Sequence, residues 1–172
     1  MELSGKNFII LAEQMVNDQE FWYPYYRLQE AGAKVTVVGS GSADHYTGKA
    51  GTAIEVDAAA DQISLDDYDG VVIPGGYAPD HLRRYPAVLQ LVRRLFEKDR
   101  LVAAICHAGW VLVSAGILQD RHVTSYISIK DDLVNAGANW ADSEVVIDGN
   151  LVTSRTPADL PAFMRAIISV AK

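Results

Sequence analysis

At 172 residues, with hydrophobic residues at 49% and charged residues at 22%, the chain has apolar side chains for one well-buried core and too few residues for two. Its net charge of −7 argues against nucleic acid or an anionic membrane surface, because such polyanions are bound through clustered Lys and Arg. One cysteine permits no internal disulfide, so the fold does not depend on an oxidising compartment and the expected location is the cytoplasm.

Residues 7–12 form the first predicted strand; the apolar run Phe8-Ile-Ile-Leu-Ala12 breaks at Glu13 without a small-residue cleavage site, which excludes a signal peptide. Glu13-Gln-Met-Val16 follows instead of a glycine-rich fingerprint, so no nucleotide cofactor is expected. A helix is predicted over 20–30, with Ala31-Gly32 as its left-handed cap and Pro24 in or near its first turns. Its aromatic residues Phe21, Trp22, Tyr23, Tyr25 and Tyr26 surround both faces, which suits either core packing or a subunit interface. Further strands are predicted at 34–39, 70–74 and 101–105, where Val71-Val-Ile73 and Leu101-Val-Ala-Ala-Ile105 show no polar alternation. Such runs belong to parallel strands covered by helices on both faces.

Residues 86–98 give the clearest amphipathic helix, with Val88, Leu91, Val92, Leu95 and Phe96 on one stripe. Arg83, Arg84, Arg93 and Arg94 read as a solvated face beside Glu97 and Asp99. Residues 144–154 are expected to form a hairpin turning at Asp148-Gly149, and a last helix follows Pro157. The alternation selects an α/β fold, a doubly wound and mostly parallel sheet sandwiched by helices with a C-terminal β-hairpin, over one domain at 1–172.

The strand at 101–105 runs into Cys106, and a helical pattern starts directly after it. This is the strand-turn-helix arrangement of a nucleophile elbow, which presents a side chain at the carboxyl edge of a sheet. Unpaired backbone N–H groups at a helix start favour an anion, so the Cys106 thiol is expected to ionise more readily than a free cysteine. A small buried hydrophobe is the bland alternative. Glu20 follows the first strand and can reach the same crevice. A carboxyl beside a thiolate should keep its proton, since two like charges in a dry site disfavour each other. Gly75 and Gly76 follow the strand at 70–74, where missing side chains let backbone N–H groups approach an anion, or simply let the chain turn. His45, His81 and His122 have no metal-ligand spacing with one another or with Cys106, so no metal is expected.

The segments Ala104-Ile-Cys-His-Ala108 and Val72-Ile-Pro-Gly-Gly-Tyr-Ala-Pro-Asp80 resemble the signature of the ThiJ/PfpI family. Asn17-Asp-Gln-Glu-Phe21 with Tyr23-Pro24, Ile129-Lys-Asp-Asp132, Asn135-Ala-Gly137 and Pro157-Ala-Asp-Leu-Pro161 extend the likeness over nearly the whole chain. The resemblance is closest to the PfpI branch of intracellular cysteine proteases, general stress proteins and deglycases, and implies a flavodoxin-like, class I glutamine amidotransferase-like sheet. It implies Cys106 as nucleophile, Glu20 as the acid near its sulfur, and Gly76 and His107 N–H as oxyanion donors. It also implies His107 as a proton-transfer residue, oriented by Asp80 of a neighbouring subunit in a homo-oligomer, a dimer or a dimer-based hexamer. Two departures stand out: Ala108-Gly109-Trp110 replaces the Gly-Pro that many relatives carry, which puts Trp110 at the pocket, and Asn17 replaces a frequent glutamate.

The expected function is a cofactor-free cysteine enzyme acting on a small aldehyde or a glycated protein, as a glyoxalase or deglycase. A peptidase acting on peptide substrates needs the same nucleophile, and a redox-sensing stress protein or chaperone would use oxidation of the same sulfur.

Overall fold

The computed structural model describes residues Met1–Lys172. Strand β1 (Asn7–Ala12) leads through helix α1 (Asp18–Glu30) to β2 (Lys34–Gly39), and the short strands β3 (His45–Thr47), β4 (Ala53–Glu55) and β5 (Ala58–Ala59) follow. Next come β6 (Gly70–Ile73), α2 (Ala78–Leu82), α3 (Pro86–Glu97), β7 (Leu101–Ile105) and α4 (Gly109–Ala115). The chain ends with β8 (His122–Val123), α5 (Lys130–Asn135), β9 (Asn139–Trp140), β10 (Val145–Asp148), β11 (Leu151–Ser154) and α6 (Leu160–Ala171).

Seven strands form the main sheet in the order β10-β11-β7-β6-β1-β2-β5. All its pairings are parallel except β10 with β11. Helices α1 and α6 pack on one face, and α3 and α4 on the other. This is the doubly wound sandwich that the unalternated apolar runs predict: Phe8, Ile9, Ile10 and Leu11 of β1 and Val71, Val72 and Ile73 of β6 are fully buried. Each such side chain contributes about 1.5–3 kcal/mol of burial. The order of the strands reverses between β1 and β6, and their carboxyl ends open a crevice there.

Several boundaries differ from the sequence reading for physical reasons. Helix α1 starts at Asp18 because the Asn17 side chain caps it, accepting from Gln19 N at 3.1 Å and Glu20 N at 3.2 Å. The hairpin turns at Gly149-Asn150, one residue later than expected, since Asp148 still pairs with Leu151 and only Gly149 takes a positive φ. The arginines are not all a solvated face: Arg83 Nε donates to Ser114 Oγ at 2.9 Å, and Arg93 Nε to the Ala115 carbonyl at 2.7 Å. Glu13, which only ends the first apolar run in the sequence, is buried and accepts from Ser40 Oγ and from Ser42 Oγ at 2.9 Å, tying the ends of β1 and β2. No helix is long and apolar enough to cross a membrane.

Close approach of β6 to β7 requires a glycine at position 70, where a Cβ would lie 2.7 Å from the Leu101 carbonyl oxygen and 3.0 Å from Phe8 Cε1. Gly70→Ala is expected to destabilise the protein by about 1–3 kcal/mol through overpacking, read as a lower urea midpoint with an unchanged slope; an unshifted midpoint would show that the strands separate freely.

Candidate active site

The elbow begins where β7 ends. Ile105 is still extended (φ −126°, ψ 148°), Cys106 takes φ 61°, and residues Cys106–Ala108 form a single tight turn before α4. A non-glycine residue in this left-handed region costs about 1–3 kcal/mol. The surrounding structure holds it: the Cys106 carbonyl accepts from Tyr126 N at 3.2 Å. The sulfur is thereby turned out of the sheet to the floor of a cavity, with the residue only 8% exposed.

The glycine pair beyond β6 builds the opposite wall. Asn17 N donates to the Gly75 carbonyl at 3.1 Å and Tyr77 N to the Met15 carbonyl at 2.9 Å, zipping this turn to the segment that follows β1. Gly76 has φ +78°, and a Cβ there would lie 2.4 Å from Asn17 N, so no larger residue fits. The zipper fixes the start of α1 and with it Glu20, which is fully buried. Glu20 Oε2 accepts from Gly75 N at 2.7 Å and Oε1 has no hydrogen-bond partner, while the carboxyl as a whole interacts with the Cys106 side chain.

Three donors can therefore meet the sulfur: the backbone N–H groups of His107 and Gly76, and Glu20 if it carries a proton. Burial, opposed by the Gly75 N–H, pushes the Glu20 carboxyl up to about 7. Burial, and then the negative charge of an ionised Glu20, push the Cys106 thiol up to about 12. The two groups form one titrating pair. A first negative charge enters near 7 and a second only near 12. Beside an ionised Glu20 the thiol is therefore not easily ionised, because the turn's N–H groups do not offset burial plus a neighbouring carboxylate. The sulfur can be anionic at neutral pH only while Glu20 holds the remaining proton.

His107 Nδ1 lies 3.2 Å from Cys106 Sγ, although a residue adjacent to the cysteine need not point back at it. Its ring is half-buried, stacked on Tyr126 with centroids 4.9 Å apart and met edge-on by Trp110 at 5.3 Å. Burial, and next the charge of Lys49, keep the imidazole below its ordinary pKa and so neutral at pH 7. Trp110 is anchored by its Nε1–H to Asp132 Oδ2 at 2.7 Å.

The cavity measures about 540 Å³ and is lined by Asn17, Glu20, Lys49, Gly76, Tyr77, Asp80, Cys106, His107, Trp110, Tyr126 and Pro157. Cys106, His107, Glu20, Gly76 and Trp110 are therefore brought together at one cavity, and this chain's own Asp80 lines it too, where the resemblance implies the copy from a neighbouring subunit. Gly75 is not at the cavity wall: its N–H is spent on Glu20, where a Cβ would lie 2.5 Å from Oε2. The Gly76 and His107 N–H groups both favour the charged sulfur. Asp80 pairs with Arg84 at 3.7 Å and makes no hydrogen bond to His107 of its own chain. His45, His81 and His122 do not line the cavity. Sequence reasoning missed Lys49, Tyr77 and Tyr126. A signal for Lys49 existed in Thr47-Gly-Lys-Ala-Gly51, whose glycines mark a tight loop, but nothing in it locates that loop beside Cys106.

An elbow cysteine at the carboxyl edge of a doubly wound sheet, with a buried acid on its sulfur, defines a thiol-site α/β protein. The DJ-1/PfpI family model matches residues 6–170, and the chain belongs to that family. It is 42% identical to Deglycase PfpI of Pyrococcus furiosus over 164 residues, covering 95% of this chain and 98% of that one. It is 38% identical to General stress protein 18 of Bacillus subtilis, covering 96% and 98%. Among solved structures, it is similar to a two-domain protein from Anabaena variabilis with DJ-1/ThiJ/PfpI-like and ferritin-like domains (TM-score 0.93, 42% identity), covering 95% of this chain and 47% of that one. It is also similar to Drosophila melanogaster DJ-1beta (TM-score 0.90, 32% identity), covering 98% and 92%.

The contact between Gly75 and Glu20 generates a specific expectation. Gly75→Ala leaves an ordinary backbone conformation but sets a Cβ 2.5 Å from Glu20 Oε2 and 2.7 Å from Cys106 Cβ, wedging the acid and the thiol apart. Alkylation of Cys106 by iodoacetamide at neutral pH should slow about tenfold, the equivalent of one pK unit, with the circular dichroism spectrum unchanged. A wild-type rate in a folded variant would mean that this contact does not hold the acid in place.

Proposed function

We propose that this protein is a cofactor-free thiol enzyme acting on carbonyl-derived substrates, small aldehydes or their glycation adducts, of the glyoxalase or deglycase type. The observation that carries the reading is the inventory of donors around one buried sulfur. A negative charge on Cys106 meets two backbone N–H groups and the Glu20 O–H, whereas the same charge on Glu20 meets the Gly75 N–H and a weak S–H donor. The charge belongs on sulfur, and the proton on Glu20.

With methylglyoxal, the thiolate adds to the aldehyde carbon. A C–S bond forms, the C=O π pair moves to oxygen, and Glu20 supplies the proton that gives the hemithioacetal. Neutral His107, beside the sulfur at 3.2 Å, removes the proton from that carbon and returns it to the neighbouring carbon as the enediol rearranges to a thioester. Water then cleaves the thioester to lactate and restores the thiol. Oxidation at one carbon is balanced by reduction at the next, so no external redox partner is required. The name of the Pyrococcus furiosus relative supports the deglycase form of this chemistry. A peptidase would call on the same cysteine, but N–H donors directed at the sulfur suit thiolate stabilisation better than an oxyanion hole. The active form is a homo-oligomer, a dimer or a dimer-based hexamer, in which a neighbour's copy of Asp80 orients His107. In support, Asp80 lies at the cavity with half of its side chain exposed, and the only side-chain hydrogen bond of His107 within the chain is the one to sulfur.

Turnover of methylglyoxal by the pure protein tests the reading. The rate should rise with pH through about 7, where the pair takes up its first negative charge, and level off above it. Cys106→Ser should abolish turnover, and Asp80→Asn should lower kcat. Full activity in Cys106→Ser, or a rate that falls as pH rises through 7, contradicts the mechanism.

A further inference from the structure

Lys49 is the one Lys or Arg that lines the reaction cavity; the other charged groups there, Glu20 and Asp80, are acidic. Its ammonium group forms no ion pair within the chain, while eight other Lys or Arg residues do. The backbone beneath it, by contrast, is held firmly. Lys49 N donates to the Val16 carbonyl at 2.8 Å, and Gly48 N to the Thr52 carbonyl at 2.8 Å. The Asp18 carboxylate clamps the loop from α1 by accepting from Ala50 N at 2.6 Å and Thr52 N at 3.1 Å. Gly48 packs so closely on Asp18 that a Cβ would lie 2.2 Å from Oδ1. A solvated surface lysine needs no such foundation.

We propose that Lys49 is the anion subsite of this cavity, so that the preferred substrate is a carbonyl compound carrying one carboxylate or similar anionic group close to the reacting carbon. This rests on the thiol-carbonyl reading above and names the class of substrate within it. The physical case follows from charge. A net charge of −7 repels an anion from the molecule as a whole, and Asp80 and the Cys106–Glu20 pair repel it within the cavity. A cation fixed at the rim is what lets an anionic substrate enter. Its charge reaches both groups at the sulfur: it adds to the burial that lowers His107 and opposes, as the smallest of the causes, the rise of the Glu20 carboxyl. A lone ammonium suits a single anionic group, with no second cation to fork a larger one. The aromatic wall of Tyr126 and Trp110 is left to cover the apolar remainder of the substrate.

The test compares iodoacetate with iodoacetamide, two reagents of similar shape that attack the same sulfur and differ by one negative charge. Their rates at Cys106 of the full-length protein are followed by mass spectrometry, and the ratio of the two cancels any change in the sulfur's own reactivity. The iodoacetate-to-iodoacetamide ratio should exceed that of a small free thiol, Lys49→Met should lower it about fivefold, and Lys49→Arg should retain most of it. Adding salt should lower the ratio in the wild type and not in Lys49→Met. In turnover, an α-oxoaldehyde that carries a carboxylate, 4,5-dioxopentanoate, should be favoured over neutral methylglyoxal and give 2-hydroxyglutarate by the same internal rearrangement, with the preference lost in Lys49→Met mainly through KM. If Lys49→Met leaves the alkylation ratio unchanged, the subsite assignment is wrong while the thiol chemistry stands. If neither reagent labels Cys106, the thiol reading fails and the subsite with it.

Discussion

A buried acid and a buried thiol set against each other at the edge of a sheet have room for one negative charge between them. Glu20 and Cys106 come from different ends of the chain's first hundred or so residues, and neither could tolerate this placement alone, because an unpaired charge in such a site costs several kcal/mol. Gly75 settles the geometry. Its N–H occupies one oxygen of Glu20 and leaves the other without a partner, in a carboxyl set beside the Cys106 side chain. The glycines after β6, the zipper to Met15–Asn17 and the positive φ of Cys106 all serve that one arrangement.

The fold makes this economical. Parallel strands β1, β6 and β7 are neighbours in the sheet and end side by side, so the acid, the donor turn and the thiol are delivered to one crevice from three adjacent strand ends. Strain at the elbow is sustained by a core of fully buried strands on both sides. The outer hairpin of β3 and β4 belongs to a separate small sheet and is tied to the crevice through Asp18, the Val16 carbonyl, and the bonds of Thr47 to Met15 N and Gln14 Oε1. It adds Lys49 to a site otherwise built from the main sheet, which makes it the natural place for substrate preference to vary without disturbing the nucleophile.

Much of this was legible in the residues. Unalternated runs such as Leu101-Val-Ala-Ala-Ile105 announce buried parallel strands, and the step from such a run into Cys106 announces the elbow. Glu20 could be placed at the crevice because a helix after the first strand begins on that side of the sheet. Three features resisted. Lys49 stands in a loop whose location is set by a carboxylate 32 residues away in sequence, and periodicity carries no record of that. The division of labour between Gly75 and Gly76 depends on which N–H points where, a matter of a single peptide's orientation. How far the ionisation of Cys106 depends on the Glu20 proton also resisted, because a local rule about helix starts omits the desolvation and the neighbouring charge that only packing supplies.

The central claim is that the first negative charge of the pair resides on sulfur while Glu20 keeps its proton. Direct titration of the thiolate by its ultraviolet absorbance near 240 nm, in the wild type and in Glu20→Ala, tests it without any substrate. A thiolate should appear with a midpoint below the free-cysteine value of about 8.5, and about one unit higher once the Glu20 proton is removed. A wild-type sulfur that stays protonated at pH 9 or above, or one whose midpoint falls in Glu20→Ala, would place the charge on the carboxylate instead and contradict the account.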